Sequence, residues 1–361
     1  MTRNILFSDN KLELAEVQAR LQSLLPSSWR LYPSQGRALG GSDAAIDLES
    51  PDGRRATLAI EFKSRLDPMD IVGLRRKVAM WSPLPSGRTE TVLVVAPYLG
   101  ERTRERLRES NWSYLDLTGN TRLRLDEPAV FLSSQGATKD PGRSKRPTRT
   151  LRGVKAARIV RTLVDRRPPL RVRQIAEIAD TDPGNVSRVL EMLEREDLIR
   201  RNSQGGLQQV NWEALLRAWT REYSLMGYNA YSTYLDPRGL GNFVSHLPEL
   251  GREMKYAVTG SLAAARRAPV APPRLAAVFV EDAAAAAALL GLVPAESGAN
   301  VILVEPKDDF VYEGSSLDGG VSYVAPSQAV ADLLTGTGRN PAEAEELIEW
   351  MQRRESEWRV E

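Results

Sequence analysis

Apolar residues recur at helical spacing from Leu12 to Leu25, and Pro26 ends the run. The pattern then changes. Ala44–Leu48 and Ala56–Phe62 read as short strands on either side of the turn sequence Ser50-Pro51-Asp52-Gly53. Asp70–Trp81 has helical spacing. Thr91–Ala96 is an unbroken apolar run of the kind a buried strand carries. Arg102–Ser110 predicts a helix with a charged outer face, and Ser113–Leu117 and Arg122–Leu125 predict strands around Thr118-Gly119-Asn120. Residues 1–135 are therefore expected to form one α/β domain.

From Gly136 to Arg152 the chain turns to Pro, Gly, Ser, Thr and basic residues, the composition of a linker. A compact helical unit is expected over 153–212. Val154–Asp165 carries apolar residues at packed-helix spacing, Val172–Ala179 reads as a second short helix, and Asn185–Glu196 as a third. Between the last two, Asp182 is a good N-cap and Pro183 suits the first helical position. Leu198-Ile199 begins a strand, Ser203–Gly206 is a tight turn, and Leu207–Val210 returns. Three helices and a hairpin make a winged helix-turn-helix. Asn211–Gly227 predicts a further helix. Strands near Tyr256–Val258, Ala276–Val280 and Val301–Val304 and a terminal helix from Pro341 make the remainder, 213–361, a further α/β domain.

Composition narrows the chemistry. Cysteine is absent, which excludes disulfides, thiolate zinc sites and a cysteine nucleophile and fits a reducing cytoplasm. The single histidine, His246, rules against a multi-His metal site or a His-based triad. The net charge is only +2, yet every charged side chain between Lys139 and Arg158 except Asp140 is basic. A local basic run in a near-neutral chain points to one docking face. The first residues lack the apolar core of a signal peptide, and the most apolar stretch, 283–295, is too short to span a membrane. No membrane partner is expected, and the expected location is the cytoplasm.

In the third helix Val186, Val189, Leu190 and Leu193 face inward, which leaves Asn185, Ser187, Arg188 and Glu191 outward. The major groove of DNA admits one helix whose N-terminal side chains meet base edges, and Asn and Arg pair bidentately with adenine and guanine. Candidate base readers are thus Asn185, Ser187 and Arg188. Arg200, Arg201 and the linker residues Lys145, Arg146 and Arg149 are candidates for phosphates, which position without reading sequence. A winged helix devoted to protein contacts is the other use of such a unit. The stretch NVSRVLEMLEREDLIRR resembles the recognition helix and wing of MarR- and IclR-type bacterial regulators.

A second constellation lies in the first domain. Glu61 and Lys63 are two apart in a strand and share a face, and a neighbouring strand is expected to place Asp47 beside them. Two carboxylates, Asp47 and Glu61, hold a magnesium ion in such an arrangement, with Lys63 orienting water. The Asp…Glu-x-Lys pattern in strand–turn–strand context resembles the PD-(D/E)xK nuclease superfamily. The helix with Glu13 and Glu16 corresponds to that fold's first helix, and the helix and strand through Ala96 continue its core. The resemblance implies Asp47, Glu61 and Lys63 as catalytic residues where activity persists, and many members only bind. Gln35 is one candidate for a further catalytic position. Asp116 and Asn120 in YLDLTGN belong either to that site or to a strand end and turn.

The stretch YAVTGSLAA at 256–264 resembles the Gly-Ser opening of nucleotidyltransferase folds, where a strand-to-helix turn presents amides to phosphates. An active member would carry Asp-x-Asp on the matching strand. Here Glu281 and Asp282 are adjacent and point to opposite faces, so the fold is expected to be degenerate. With ANVILVEP, VSYVAPSQAVADLL and GRNPAEAEEL, the segment resembles the C-terminal domain of AbiEi-like antitoxins, repressors in type IV toxin–antitoxin pairs. The expected whole is an α/β multidomain chain: a restriction-endonuclease-like domain, a winged helix-turn-helix and a degenerate nucleotidyltransferase-like domain. Three functions follow as alternatives: a sequence-specific regulator of double-stranded DNA, of antitoxin-like type; a magnesium-dependent endonuclease targeted by its winged helix; and an interaction protein gripping a toxin or other partner. A homodimer is a further expectation. Trp212, Trp219, Tyr223, Tyr228, Tyr231 and Tyr234 are either its face or core packing.

Overall fold

The computed structural model describes residues 14–34, 41–81, 89–141 and 150–361. Glu13, Gln35, Lys145, Arg146 and Arg149 lie outside the described residues. The chain divides into two compact units, the first up to Pro147 and the second from Thr148, with residues 195–197 grouped with the first.

The first unit contains α1 (Leu14–Leu24), β1 (Arg30–Pro33), β2 (Ala44–Glu49), β3 (Arg55–Phe62), α2 (Asp70–Ala79), β4 (Thr89–Ala96), α3 (Glu101–Glu109), β5 (Ser113–Asp116), β6 (Thr121–Leu125) and β7 (Val130–Ser134). The seven strands form one sheet in sequence order. β1, β2 and β3 are antiparallel neighbours, β3–β4 and β4–β5 are parallel, and β5, β6 and β7 are antiparallel again. A parallel pair cannot be closed by a tight turn. α2 and α3 supply the two crossovers. Alternate side chains of the strands serve opposite faces. Leu58, Ile60, Leu93 and Val95 pack with Val17 and Leu21 of α1. Val94, Ala96 and Tyr114 pack with Ile71 and Leu74 of α2 and Leu107 of α3. The unit is thus a sheet covered on both faces.

The second unit opens with α4 (Val154–Asp165), α5 (Val172–Ile178), α6 (Pro183–Arg195), β8 (Ile199–Arg201) and β9 (Leu207–Val210), followed by α7 (Trp212–Thr220). Then come α8 (Leu225–Tyr228), β10 (Ala230–Leu235), α9 (Leu240–Glu253), β11 (Tyr256–Thr259), α10 (Gly260–Ala265), β12 (Ala276–Val280), α11 (Ala283–Leu290), β13 (Val293–Pro294) and β14 (Val301–Glu305). β15 (Ser316–Asp318), β16 (Val321–Tyr323), α12 (Pro326–Leu334), α13 (Asn340–Arg353) and α14 (Glu355–Trp358) complete it. The large sheet runs β13-β10-β14-β12-β11-β16-β15. Its β11, β12 and β14 are buried along almost their whole length.

One continuous apolar cluster runs from Leu151 through the winged helix to Trp358. No gap in packing falls at 212. α7 explains why: Trp212, Leu215, Leu216 and Trp219 are buried, and the helix packs on both α4 and α12. The helix expected over Asn211–Gly227 stops at Thr220, and Ser224 caps a separate short helix by accepting the Gly227 amide at 3.0 Å. Trp212, Trp219, Tyr223 and Tyr234 lie in the core, with Trp219 stacked on Tyr223 at 4.5 Å between ring centroids. Core packing accounts for these four; Tyr231 is exposed.

A second tie crosses the same unit in polar form. Arg161 of α4 is fully enclosed and donates to Asp165, to Gln328 Oε1 at 2.6 Å and to the carbonyl of Glu313 at 3.0 Å. Residues 359 and 360 close on the same helix. Arg359 donates to the Arg166 carbonyl at 2.6 Å, and Val360 and Asp165 pair through Val360 N–H at 2.8 Å.

Candidate nucleic-acid interface

The α5–α6 corner is built as its sequence dictates. Asp182 Oδ1 accepts the Asn185 amide at 2.8 Å, which satisfies an N–H that the first helical turn leaves without a partner. That amide, with Lys155 and Arg188 nearby, holds the Asp182 carboxyl below its ordinary range. Val186, Leu190 and Leu193 are buried, so α6 is fixed in rotation and Ser187 and Arg188 are presented outward. Asn185 is half-buried and connects its neighbours: its amide nitrogen donates to Asp182 and its oxygen accepts from Arg188. Arg188 also donates to the Gly184 carbonyl at 3.1 Å. Two of the candidate base-reading side chains, Asn185 and Arg188, therefore hold one another in the free protein.

The wing separates the two arginines proposed for phosphates. Arg200 is exposed. Arg201 is half-buried and is drawn to Glu194 of α6, with its Nε 2.9 Å from Oε2. The turn between β8 and β9 uses Asn202, whose side chain accepts the amides of Gln204 and Gly206, and Gly205 at φ +81°. Basic side chains that sequence reasoning passed over are Lys155, Arg171 and Arg173, exposed on α4 and at the start of α5. Arg171 marks the entry to α5, the helix that crosses the backbone in this motif, which was the available signal. Arg158 links Asp180, in the turn after α5, to Asp308, and so fixes that turn on the unit.

Residues 154–203 match the IclR helix-turn-helix domain. The chain thus carries a helix-turn-helix DNA-binding domain. No curated protein and no solved structure matches the chain. The IclR-type match covers α4 through the first strand of the wing, and the side chains of α6 just described lie inside it. Among the described residues no helix is long and apolar enough to cross a membrane.

In the first unit the structure keeps Glu61 and Lys63 together and moves the second carboxylate. Asp47 faces the same side of the sheet but pairs with Thr57, whose hydroxyl donates to it at 2.7 Å. That is four residues along β3 from Glu61, on the order of 13 Å at the usual rise of a strand. Asp47 is therefore not beside Glu61 and Lys63. The residue at that level is Asp43, one step beyond the Ala44–Ile60 pair, and its carboxylate accepts the Phe62 amide at 2.9 Å. Glu61 is buried and receives Lys63 Nζ at 2.6 Å and, from α2, Lys77 Nζ at 2.6 and 2.7 Å. Gly41 fixes the loop that carries Asp43. It sits at φ +152°, and a Cβ there would fall 2.6 Å from the Trp81 ring, at the end of α2. Asp43 and Lys77 were both missed from sequence.

Asp116 and Asn120 form a turn. The Asp116 carboxylate accepts the amides of Leu99, Thr118 and Asn120, and Asn120 bonds the backbone of Gly136 and Ala137. A side chain on Gly136 would collide with the Thr118 carbonyl at 2.3 Å, so the start of the expected linker belongs to this unit.

The Gly260-Ser261 turn is likewise occupied by structure. Ser261 donates to Glu343, and the preceding Thr259 donates to Asp332 at 2.5 Å. Glu281 accepts the Lys255 amide at 3.0 Å, and Asp282 caps α11 through the Ala285 amide.

Proposed function

We propose that the protein is a sequence-specific, double-stranded-DNA-binding transcription regulator. The observation that carries this is the first turn of α6, which turns Ser187 and Arg188 outward with Asn185 beside them while Val186, Leu190 and Leu193 anchor it. In the major groove Asn185, Ser187 and Arg188 meet base edges. Arg200, Lys155, Arg171 and Arg173, with Lys145, Arg146 and Arg149 ahead of the domain, meet phosphates. Arg201 serves the fold through Glu194 and contributes less. The antitoxin-like character rests on the resemblance of roughly 250–350 to AbiEi-like C-terminal domains. A cognate toxin and a second copy of the chain are the partners that go with it.

A gel-shift assay with selected DNA tests this reading. Arg188→Ala is expected to weaken binding by about 1–3 kcal/mol and to relax preference at one base position. Unchanged affinity and selectivity would remove Arg188 from the readout.

The order α1, antiparallel β1–β2–β3, α2, then β4 parallel beside β3 supports a nuclease-like origin for the first unit. The side chains do not fit a magnesium site as they stand. A hard cation needs carboxylate oxygens, and both oxygens of Glu61 are taken by ammonium groups.

A further inference from the structure

The four groups that β2, β3 and α2 gather are Asp43, Glu61, Lys63 and Lys77, and their arrangement favours one use. Glu61 has no exposed surface, and a carboxylate enclosed in this way requires compensating charge and hydrogen bonds. Lys63 supplies one contact, at 2.6 Å to Oε1. Lys77 sits astride the group, at 2.6 Å from Oε1 and 2.7 Å from Oε2, the position from which a cation engages a carboxylate bidentately. Asp43, level with Glu61, gives one oxygen to the Phe62 amide, and Asp47 stands level with Thr57 instead. Among the described residues no three acidic or imidazole side chains converge as a metal cluster.

We infer that Lys77 is a built-in counter-cation that occupies the divalent-metal position of this site and makes it a metal-independent docking point for a nucleic-acid backbone phosphate. The donor balance supports such a ligand. Asp43 and Glu61 offset the charges of the two lysines, but Asp43 gives one oxygen to the Phe62 amide, and the two ammonium groups offer about six N–H donors against about four lone pairs on Glu61, so donor capacity is left for a further anion. Both lysines reach the surface, with side chains 30% and 40% exposed around a carboxylate that is fully covered. Arg75 and Arg76, exposed on the same helix, extend the positive field. A phosphodiester oxygen can therefore approach Lys63 and Lys77 from solvent while Glu61 keeps them in register from below.

The test uses the full-length protein, with Lys77→Met and Lys77→Arg variants checked for folding by their thermal transitions. Manganese binding is measured by calorimetry, and DNA binding and cleavage are followed with and without EDTA. The wild type and Lys77→Arg are expected to take up no Mn²⁺ at millimolar concentration, and to bind DNA equally with and without chelator. Lys77→Met is expected to gain one Mn²⁺ site and to lower the salt dependence of non-specific DNA binding by about one phosphate contact. Metal uptake at Glu61 or metal-dependent cutting by the wild type would overturn the inference. So would a folded Lys77→Met that gains no metal. An unchanged salt slope in a folded Lys77→Met overturns the phosphate docking; if that variant does not fold, the same slope is read on Lys63→Met beside the wild-type metal titration, with the same meaning.

Discussion

Asp332 is enclosed by its own unit, and its ionisation carries a pH signature. Tyr223 and Gln328 donate to one oxygen at 2.6 and 2.9 Å, and Thr259 donates to the other at 2.5 Å. Burial nevertheless outweighs these bonds and the nearby Arg161, and the carboxyl is pushed up from 3.8 to about 6. The rise corresponds to about 3 kcal/mol. Between those two pH values the folded chain keeps a proton that the unfolded chain has released, so stability falls as pH rises through that window and levels off above it. Asp332→Asn retains a neutral group of the same shape and has no such dependence. In urea titrations the stability of the variant relative to wild type should increase by about 2 kcal/mol between about pH 4 and about pH 6.5. A constant difference across that range would mean that Asp332 is ionised in the fold throughout.

At the scale of elements, the two arginines of the wing should separate in experiment. Arg200→Ala is expected to weaken binding to all DNA sequences alike and to reduce the salt slope by about one, whereas Arg201→Ala, whose partner is Glu194, should act mainly on stability. Equal salt slopes for wild type and Arg200→Ala would place the wing away from the backbone. The winged helix was the most legible part of the sequence because its signals are local. Val186, Leu190 and Leu193 repeat at helical spacing, and Asp182 and Pro183 mark the helix start. The acidic site was half legible. Glu61 and Lys63 share a face by simple alternation, but the level of the second carboxylate depends on hairpin register. Pairing Glu49 with Arg55 across the Ser50–Arg54 turn, and counting back along both strands, leads from Glu61 to Asp43 and not to Asp47. Lys77 had no such signal, since only the packing of α2 on the sheet brings it to β3. β10 and α9 also escaped notice. The first follows a helix that ends early, and Pro248 inside α9 masks a helical pattern.

At the scale of the molecule, the winged helix is not a detachable module. Ile159, Val160 and Leu163 of α4 share a core with α7 and α12, and Arg161 finds its partners at Asp165, Phe310, Glu313 and Gln328. Removing those partners would leave a buried guanidinium without most of its bonds, a severe penalty. A fragment of residues 148–361 is therefore expected to unfold in one cooperative transition and to retain DNA binding. A fragment of residues 148–210 is expected to show no transition in circular dichroism. A folded, DNA-binding 148–210 fragment would show that the shared core is dispensable. The same architecture has a consequence in time. Arg359 and Val360 are bonded to Arg166 and Asp165 at the end of α4, so the first helix of the DNA-reading segment is completed by a residue 193 positions further along the chain. Synthesis proceeds from the N-terminus, and earlier segments ordinarily fold first. Here the segment that reads DNA must wait for the chain behind it, and prematurely terminated products would reach the cell without a finished reading head to compete for its sites.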